Sequence, residues 1–512
     1  MSKTVGVVIS GGNNEAVQFV IADYERVLVN HYYFLKHPLH KCNVLLATYS
    51  IQPYNPEMTL GRPGLLTAKR GILTQSGRNL ESHIAHARIL GYFNGKRKWR
   101  PLEVAAPVGA EVLEPSEEEL KEFFTQGTSE HDALYAEMGS VQGTNIPVRI
   151  DLNAIAKSHM LVAGMTRAGK SSFIINLALK AERLNPRPHI IIFDRRREYT
   201  ALAKNPRVQC ISYRAFVPGG CSPSVAVKRL GLTGKDADIF HRAMSRLSSN
   251  GSSEEQLMAC IREEAELRYK KGAESCIQYL SKLISSRGGF LFERRGTVDI
   301  INLIEHTSTL IIDFSTDGDV EAQHRACADI VRKIMRYAIR HRGYFAVILC
   351  IEEAQYFAPE RGVDIGESPA QSEAKAQLIE AISQLGGYNV GVVVMTQRPA
   401  YVAKAVLSQC NSVACFRLKS GNDQDAILNY SEYGSDQLRY ILPGLADHEA
   451  LLWGLALETP FPVVAEIDVE AYPQKAIVSA KRAWQEMDAN GQGSTSTRVL
   501  KPTVEEAVTV ES

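Results

Sequence analysis

The stretch Gly164-Met-Thr-Arg-Ala-Gly-Lys-Ser171 lies between an apolar run, Met160–Ala163, and a segment of helical apolar periodicity, Phe173–Leu184. Few architectures allow that order. A strand has to end in a glycine turn and pass straight into a helix, which is how a strand–helix–strand unit of a parallel sheet begins. Gly164, Met165, Thr166, Arg167, Ala168, Gly169, Lys170, Ser171 and Ser172 cover the pattern G-x-x-x-x-G-K-[ST] of a phosphate-binding loop. The glycines let the backbone curl until successive N–H groups converge on one point, and the helix starting near Lys170 adds its positive end. Lys170 is placed to reach the β- and γ-phosphates of ATP, and the Ser171 hydroxyl to ligate Mg2+.

Such a loop needs acids to hold the metal and activate water. Phe345-Ala-Val-Ile-Leu-Cys-Ile351 is an apolar run closed by Glu352 and Glu353. A buried parallel strand presents its last residues at the carboxyl edge of the sheet, where ligands bind, so both carboxylates are expected beside the phosphates. Glu352 is the candidate metal-side acid and Glu353 the candidate base that polarises the attacking water. A solvated acidic turn is the alternative. Gly391-Val-Val-Val-Met-Thr396 forms a third run and ends at Gln397, which either senses the terminal phosphate and the water or is a plain strand exit. Asp194 and Glu198 flank Arg195-Arg-Arg197 after another apolar run. They either stand behind the magnesium ligands or pair with those arginines.

From about residue 145, runs at Met160–Ala163, Ile190–Phe193, Thr309–Ile312, Ala346–Ile351, Val390–Val394 and Val413–Leu418 alternate with helical segments. The expected fold class is α/β: a RecA-like P-loop core with a mostly parallel sheet, preceded by a small N-terminal β-barrel and carrying a helical insertion. Short alternating runs within residues 1–110 (Val5–Ile9, Val17–Ile21, Val27–Val29, Asn43–Ala47, Ala87–Tyr92) suggest a small β-barrel or β-sandwich there. Residues 111–144 are expected to be a helical linker, with Ser116 capping its acidic helix. The core takes 145–224 and 288–468, the insertion 225–287, and a C-terminal helix with a disordered tail 469–512. The nine cysteines include no C-x-x-C pair, which suggests reduced thiols rather than disulfides or zinc. No apolar stretch approaches the ~20 residues of a membrane span and the N-terminus has no apolar signal region, so a cytoplasmic protein without a membrane partner is expected. A formal net charge of +1 neither announces nor excludes nucleic acid, because a ring can hide a basic lumen in a neutral total.

These residues together resemble the HerA family of DNA-translocating ATPases, within the HerA–FtsK group. The resemblance runs from about Val5 to Val464. It rests on Ser158-His-Met-Leu-Val-Ala-Gly164 leading into the loop, on Asp194 with Glu198-Tyr199, and on Ile351-Glu-Glu-Ala-Gln-Tyr-Phe-Ala-Pro359. It continues through Thr396-Gln-Arg-Pro399, Leu407-Ser-Gln-Cys-Asn411, Phe416-Arg-Leu418, Asp423, Leu442-Pro-Gly-Leu445 and Glu449-Ala450. The resemblance implies a homohexameric ring with ATP between subunits and duplex DNA in the lumen. It also implies an effector docked on the barrel face, in the family a NurA-like nuclease, in DNA end processing and repair or in anti-phage defence. The chain departs from the family pattern at Glu352, usually Asp; at Arg167, usually a small residue; at Ser158, where Arg is usual; and in the turn Ser383–Asn389, which has no arginine. The arginine acting across the subunit boundary is therefore sought at Arg417 and Arg398, either of which can instead pair with an acid in its own chain.

Candidate DNA contacts are Lys96-Arg-Lys-Trp-Arg100, Arg294-Arg295 and the Arg332/Arg336/Arg340 face, because a translocase grips phosphates rather than bases. Each can equally be a solvated surface cluster. The competing function is a scaffold ring that binds ATP in order to assemble and control an effector, with little translocation. A conjugation or secretion pump is a third reading, weakened by the missing membrane segment.

Overall fold

The computed structural model describes residues 3–469 except 10–11, 39–41, 56–80, 96–97, 126–131, 218–221, 248–252, 269–271, 293–297, 316–317, 363–367, 431–437 and 440, together with 480–482 and 484–485. The chain divides into a large unit, Met1–Ala471, and a short one, Tyr472–Ser512. The expected tail at 491–512 lies outside the described residues.

Seven strands come first: β1 (Lys3–Val8), β2 (Ala16–Ile21), β3 (Tyr32–His37), β4 (Cys42–Tyr54), β5 (Ser82–Phe93), β6 (Trp99–Arg100) and β7 (Glu111–Glu114). Their order is β2-β1-β7-β3-β4-β5, and β2 also pairs with β5, so six strands close into a barrel with β6 appended to β5. Closure satisfies both ladder edges of every strand in the ring. Val17, Phe19, Leu35, Val44, Leu46, Ala85 and Val112 fill the interior. The expected strand at Val27–Val29 does not form. Leu28 N–H donates to the Tyr33 hydroxyl at 3.0 Å, and that hydroxyl donates to the Arg26 carbonyl at 2.9 Å. A side chain thus takes the backbone groups that a ladder would have used, and Leu28 and Val29 are left exposed.

Residues 111–144 are not a helical linker. Among the described residues of this stretch only Glu117–Thr125 is helical. β7 pairs with β1 and β3 inside the barrel, and Tyr135–Val141 is a strand of the second sheet. Four residues of β7 are too few to show a period in sequence, and its pairing partners are remote. The helix itself starts as read: Ser116 Oγ accepts from Glu119 N–H at 3.2 Å and Glu119 returns a bond to Ser116 N–H at 2.9 Å, a reciprocal cap. Phe123 packs on Phe34, Phe93 and Trp99, while Phe124 packs on Tyr32 and Phe461. An aromatic seam thereby joins the barrel to the second sheet.

That sheet contains β8 (Tyr135–Val141), β9 (Pro147–Asp151), β10 (Met160–Ala163), β11 (Ile190–Asp194), β12 (Val208–Ser212), β13 (Thr309–Asp313), β14 (Val347–Ile351), β15 (Val390–Thr396), β16 (Ser412–Phe416), β17 (Glu449–Gly454) and β18 (Val463–Ile467). Its order is β12-β13-β11-β14-β15-β10-β16-β17-β18-β8-β9. Pairing is parallel from β12 to β16 and antiparallel beyond. β10, β11, β13, β14, β15 and β16 are buried along their whole length, because helices cover parallel strands on both faces. The helices Val320–His341 and Pro369–Gln384 pack onto them through Ala326, Ile330, Ile334, Leu378 and Ile382. Buried His159 starts β10 with a left-handed backbone, φ 58°. Its Nδ1 accepts from Val392 N–H at 3.0 Å, and burial lowers its pKa, so the neutral ring fixes β10 against β15. Residues 223–287 form four helices, Pro223–Leu230, Gly234–Arg246, Glu254–Arg268 and Ala273–Arg287, around a core of their own that includes Phe240, Leu257, Ile261 and Leu280.

Candidate functional site

The parallel order puts β15 between β10 and β14. The loop after β10, the glutamates after β14 and Gln397 after β15 therefore emerge side by side at the carboxyl edge. Ala163 is in register with Thr396 on one side and Cys415 on the other.

The loop is pressed onto β16. Met165 N–H donates to the Arg417 carbonyl at 2.9 Å, and His448 N–H to the Ala168 carbonyl at 3.0 Å. Gly164 has φ 149° and Gly169 φ 123°. A Cβ on Gly164 would come within 2.6 Å of the Phe416 Cβ, and one on Gly169 within 2.9 Å of the Phe416 ring. Both the close approach and the backbone conformation exclude a side chain. With that support the loop turns into the Lys170–Ala181 helix, whose first amides have no carbonyl of their own and face outward. Arg167 also has a left-handed backbone, φ 65°, and its side chain is exposed. A Gly164→Ala chain is expected to displace the loop and lower nucleotide affinity by about five- to 150-fold, since a forced contact of this kind costs ~1–3 kcal/mol. Titration of a fluorescent nucleotide checks this, and unchanged affinity would contradict the packing argument.

Lys170 is only 8% exposed. Its Nζ donates to the carbonyls of Gly164 at 2.7 Å and Met165 at 2.9 Å. Burial pushes its pKa down to about 8, although Glu353, Glu198 and Glu352 pull the other way. Opposite stand the acids. Glu352 is 5% exposed, and its Oε2 accepts from Arg195 N–H at 2.8 Å. Burial, with Asp194 close by, pushes it up to about 8. The Ser171 hydroxyl donates to Glu198. Asp194 accepts from the N–H groups of Arg196, Glu198 and Tyr199 at 3.1, 3.1 and 3.0 Å. Asp194 thus shapes the turn that carries Glu198 to Ser171. Arg196, between those two acids, is engaged by Glu353.

Glu353 receives hydrogen bonds on both oxygens. Gln397 Nε2 donates to Oε1 at 2.5 Å, and Gln355 Nε2 to Oε2 at 2.6 Å. Arg196 Nη2 pairs with Oε1 at 2.6 Å. Thr166 Oγ1 donates to Gln397 Oε1 at 2.6 Å, so a polar chain runs from the phosphate loop through Gln397 to Glu353. Lys170, Ser171, Glu352, Glu353 and Gln397 are therefore brought together. Arg398 and Arg417 are tied elsewhere. Arg417 Nη2 pairs with Asp447 at 2.6 Å, while Arg398 Nε lies 3.6 Å from Asp423 and its guanidinium over the Tyr401 ring. Within the chain both thus take the acid-pairing alternative. Arg332 pairs with Glu373 and Asp329, and Arg336 and Arg340 are exposed. Lys96, Arg97, Arg294 and Arg295 lie outside the described residues. Sequence reasoning did not single out Arg196 or Gln355. The signal available for Gln355 was its place two residues beyond Glu353.

The residues suit a nucleotide with magnesium. A buried lysine bonded to loop carbonyls gains from a polyanion, and the buried Glu352 and Asp194 carboxyls, whose pKa burial raises, gain from a dication. Among the described residues no group of three His, Cys, Asp or Glu could hold a metal by itself. That fits magnesium, which is commonly held by one or two protein groups together with phosphate oxygens.

Sheet order, loop and facing carboxylates define a P-loop ATPase with a RecA-like core. Residues 136–334 match the family described as helicase HerA, central domain. It is 22% identical over 395 residues to the DNA double-strand break repair helicase HerA of Saccharolobus solfataricus, covering 70% of this chain and 73% of that one. It is 24% identical over 437 residues to a probable helicase of Methanocaldococcus jannaschii, covering 76% and 80%. Among solved structures it is similar to VirB4 of Thermoanaerobacter pseudethanolicus, with TM-score 0.45, 15% identity and coverage of 67% and 98%. No helix among the described residues is long and apolar enough to cross a membrane.

Proposed function

We propose that this chain is one subunit of a homohexameric, cytoplasmic ring that couples ATP hydrolysis to movement along duplex DNA. The ring works with a NurA-like nuclease or another effector in DNA end processing and repair or in anti-phage defence. The observation that carries the motor reading is the polar chain from the phosphate loop through Gln397 to Glu353, with Lys170 facing the charges of Glu352 and Glu353, in a chain similar to helicases over most of its length. Gly164 to Ser172 would hold the phosphates of ATP, with Lys170 on the β- and γ-phosphates. Ser171 and Glu352 would hold Mg2+, whose charge offsets that developing on the phosphate oxygens. Glu353 takes the proton from the attacking water, and Gln397, already bonded to Glu353, orients that water. Arg417 and Arg398, at the ends of the segments after β16 and β15, are the candidates to exchange their acid partners for a neighbouring subunit's phosphates. The duplex is gripped through its phosphates, for which the exposed Arg336 and Arg340 are candidates.

Long duplex DNA is expected to raise ATP turnover at least about fivefold, with stimulation fading as salt rises, because phosphate contacts release counterions. Steady-state ATPase assays with and without duplex check this. Turnover indifferent to DNA would remove the motor reading and favour a scaffold ring that binds ATP to control its effector.

A further inference from the structure

We propose that Gln355 is the positioning residue for hydrolysis: its side-chain amide sets the plane of the Glu353 carboxylate by bridging it to the end of β15. The proposal rests on the reading of Glu353 as the base.

Each donor in the bridge is fixed by the one before it. Arg398 N–H donates to Thr396 Oγ1 at 3.0 Å, which leaves the Thr396 hydroxyl proton to go to Gln355 Oε1 at 2.7 Å. With its oxygen committed, the Gln355 amide turns its NH2 to Glu353 Oε2, 2.6 Å away. Thr396 is 1% exposed and ends β15, so the anchor cannot swing. Glu353 needs such an anchor. Its backbone is left-handed, φ 50° and ψ 53°, at the junction between β14 and the short Ala354–Phe357 helix, a conformation that L residues rarely adopt. The carboxylate therefore leaves the strand at an angle that its own backbone does not favour.

The other partners of Glu353 do not do this job. Gln397 and Arg196 both bind Oε1, and Arg196 is 40% exposed at its side chain, so it can come and go. Lys170 and Glu352 act on Glu353 only through charge. Gln355 holds the second oxygen, and two fixed oxygens define a plane where one does not. A general base works only when its lone pair points at the proton it takes, and small misplacements cost large factors in rate.

Gln355→Leu is expected to lower kcat about 10- to 100-fold, while KM for ATP and the affinity for a fluorescent nucleotide stay within about twofold of the parent. Gln355→Glu keeps the shape and still accepts from Thr396, but cannot donate to Glu353, and is expected to lose kcat as severely. In a Glu353→Gln background, Gln355→Leu is expected to add no further loss, because its whole effect passes through Glu353. An unchanged kcat in Gln355→Leu, a rise in KM in step with the fall in kcat, or losses that multiply in the double variant would each overturn the proposal. Full turnover by Glu353→Gln alone overturns the base assignment and this proposal with it. That case is told apart by the Glu353 variant measured singly.

Discussion

Glu353→Gln is expected to retain nucleotide and lose turnover, with kcat lower by about a thousandfold, in the range removal of a general base produces. The substitution keeps the side chain's size, but one carboxylate oxygen becomes an NH2 that cannot accept, so of the Gln397 and Gln355 amides that donate to Glu353 at 2.5 and 2.6 Å only one keeps its acceptor. It removes that bond together with the ability to take a proton. Because the phosphate loop and Lys170 are untouched, affinity for ATP is expected to stay within about threefold. A filter-binding or fluorescence titration beside a phosphate-release assay separates the two quantities. Turnover above about a tenth of the parent would show that another group accepts the proton, and the pairing of Glu353 with Arg196 would then be purely structural.

Lys170→Ala is expected to abolish measurable nucleotide binding, by a loss of at least about 3 kcal/mol, or more than a hundredfold in affinity. The structure adds a second expectation. The ammonium is buried among carbonyls and its pKa is pushed down to about 8 by burial. A lysine lowered in the folded state is a cost while protonated, and that cost is full below about pH 8 and fades as pH rises from there toward the ordinary lysine value of 10.5. At pH 7 the alanine variant loses that cost along with the two carbonyl bonds. Its nucleotide-free melting temperature is therefore expected to remain within a few degrees of the parent, about the spread of a mild surface change. Calorimetry with and without nucleotide tests both halves. Stabilisation by ATP that survives in Lys170→Ala would contradict the loop assignment.

The legible part of the site was that carried by contiguous residues. The loop, its strand and its helix lie within about twenty-five positions, and each local preference agrees with the others. Glu352 and Glu353 were readable because an apolar run that ends in two acids has to present them at the edge of a sheet. The corrections fall where pairing partners are remote. β7 is four residues long and acquires its meaning only from β1 and β3, and Val27–Val29 loses its strand to a tyrosine hydroxyl. Gln355 and Arg196 escaped because the partners that give them their roles, Thr396 and Glu353, lie 41 and 157 positions away.

The sequence by itself determined that a glycine turn joins a buried strand to a helix, that two other buried strands end in carboxylates and an amide, and that a shorter β region precedes them. Those are consequences of backbone sterics and apolar period, which act over a few residues. Only the tertiary structure decided that β15 runs between β10 and β14, so that Gln397 bridges Thr166 to Glu353, and that Arg398 and Arg417 turn to acids of their own chain. Strand order and the choice of ion-pair partner depend on how distant segments pack, and that packing is settled by the burial of the whole sheet rather than by any stretch of it.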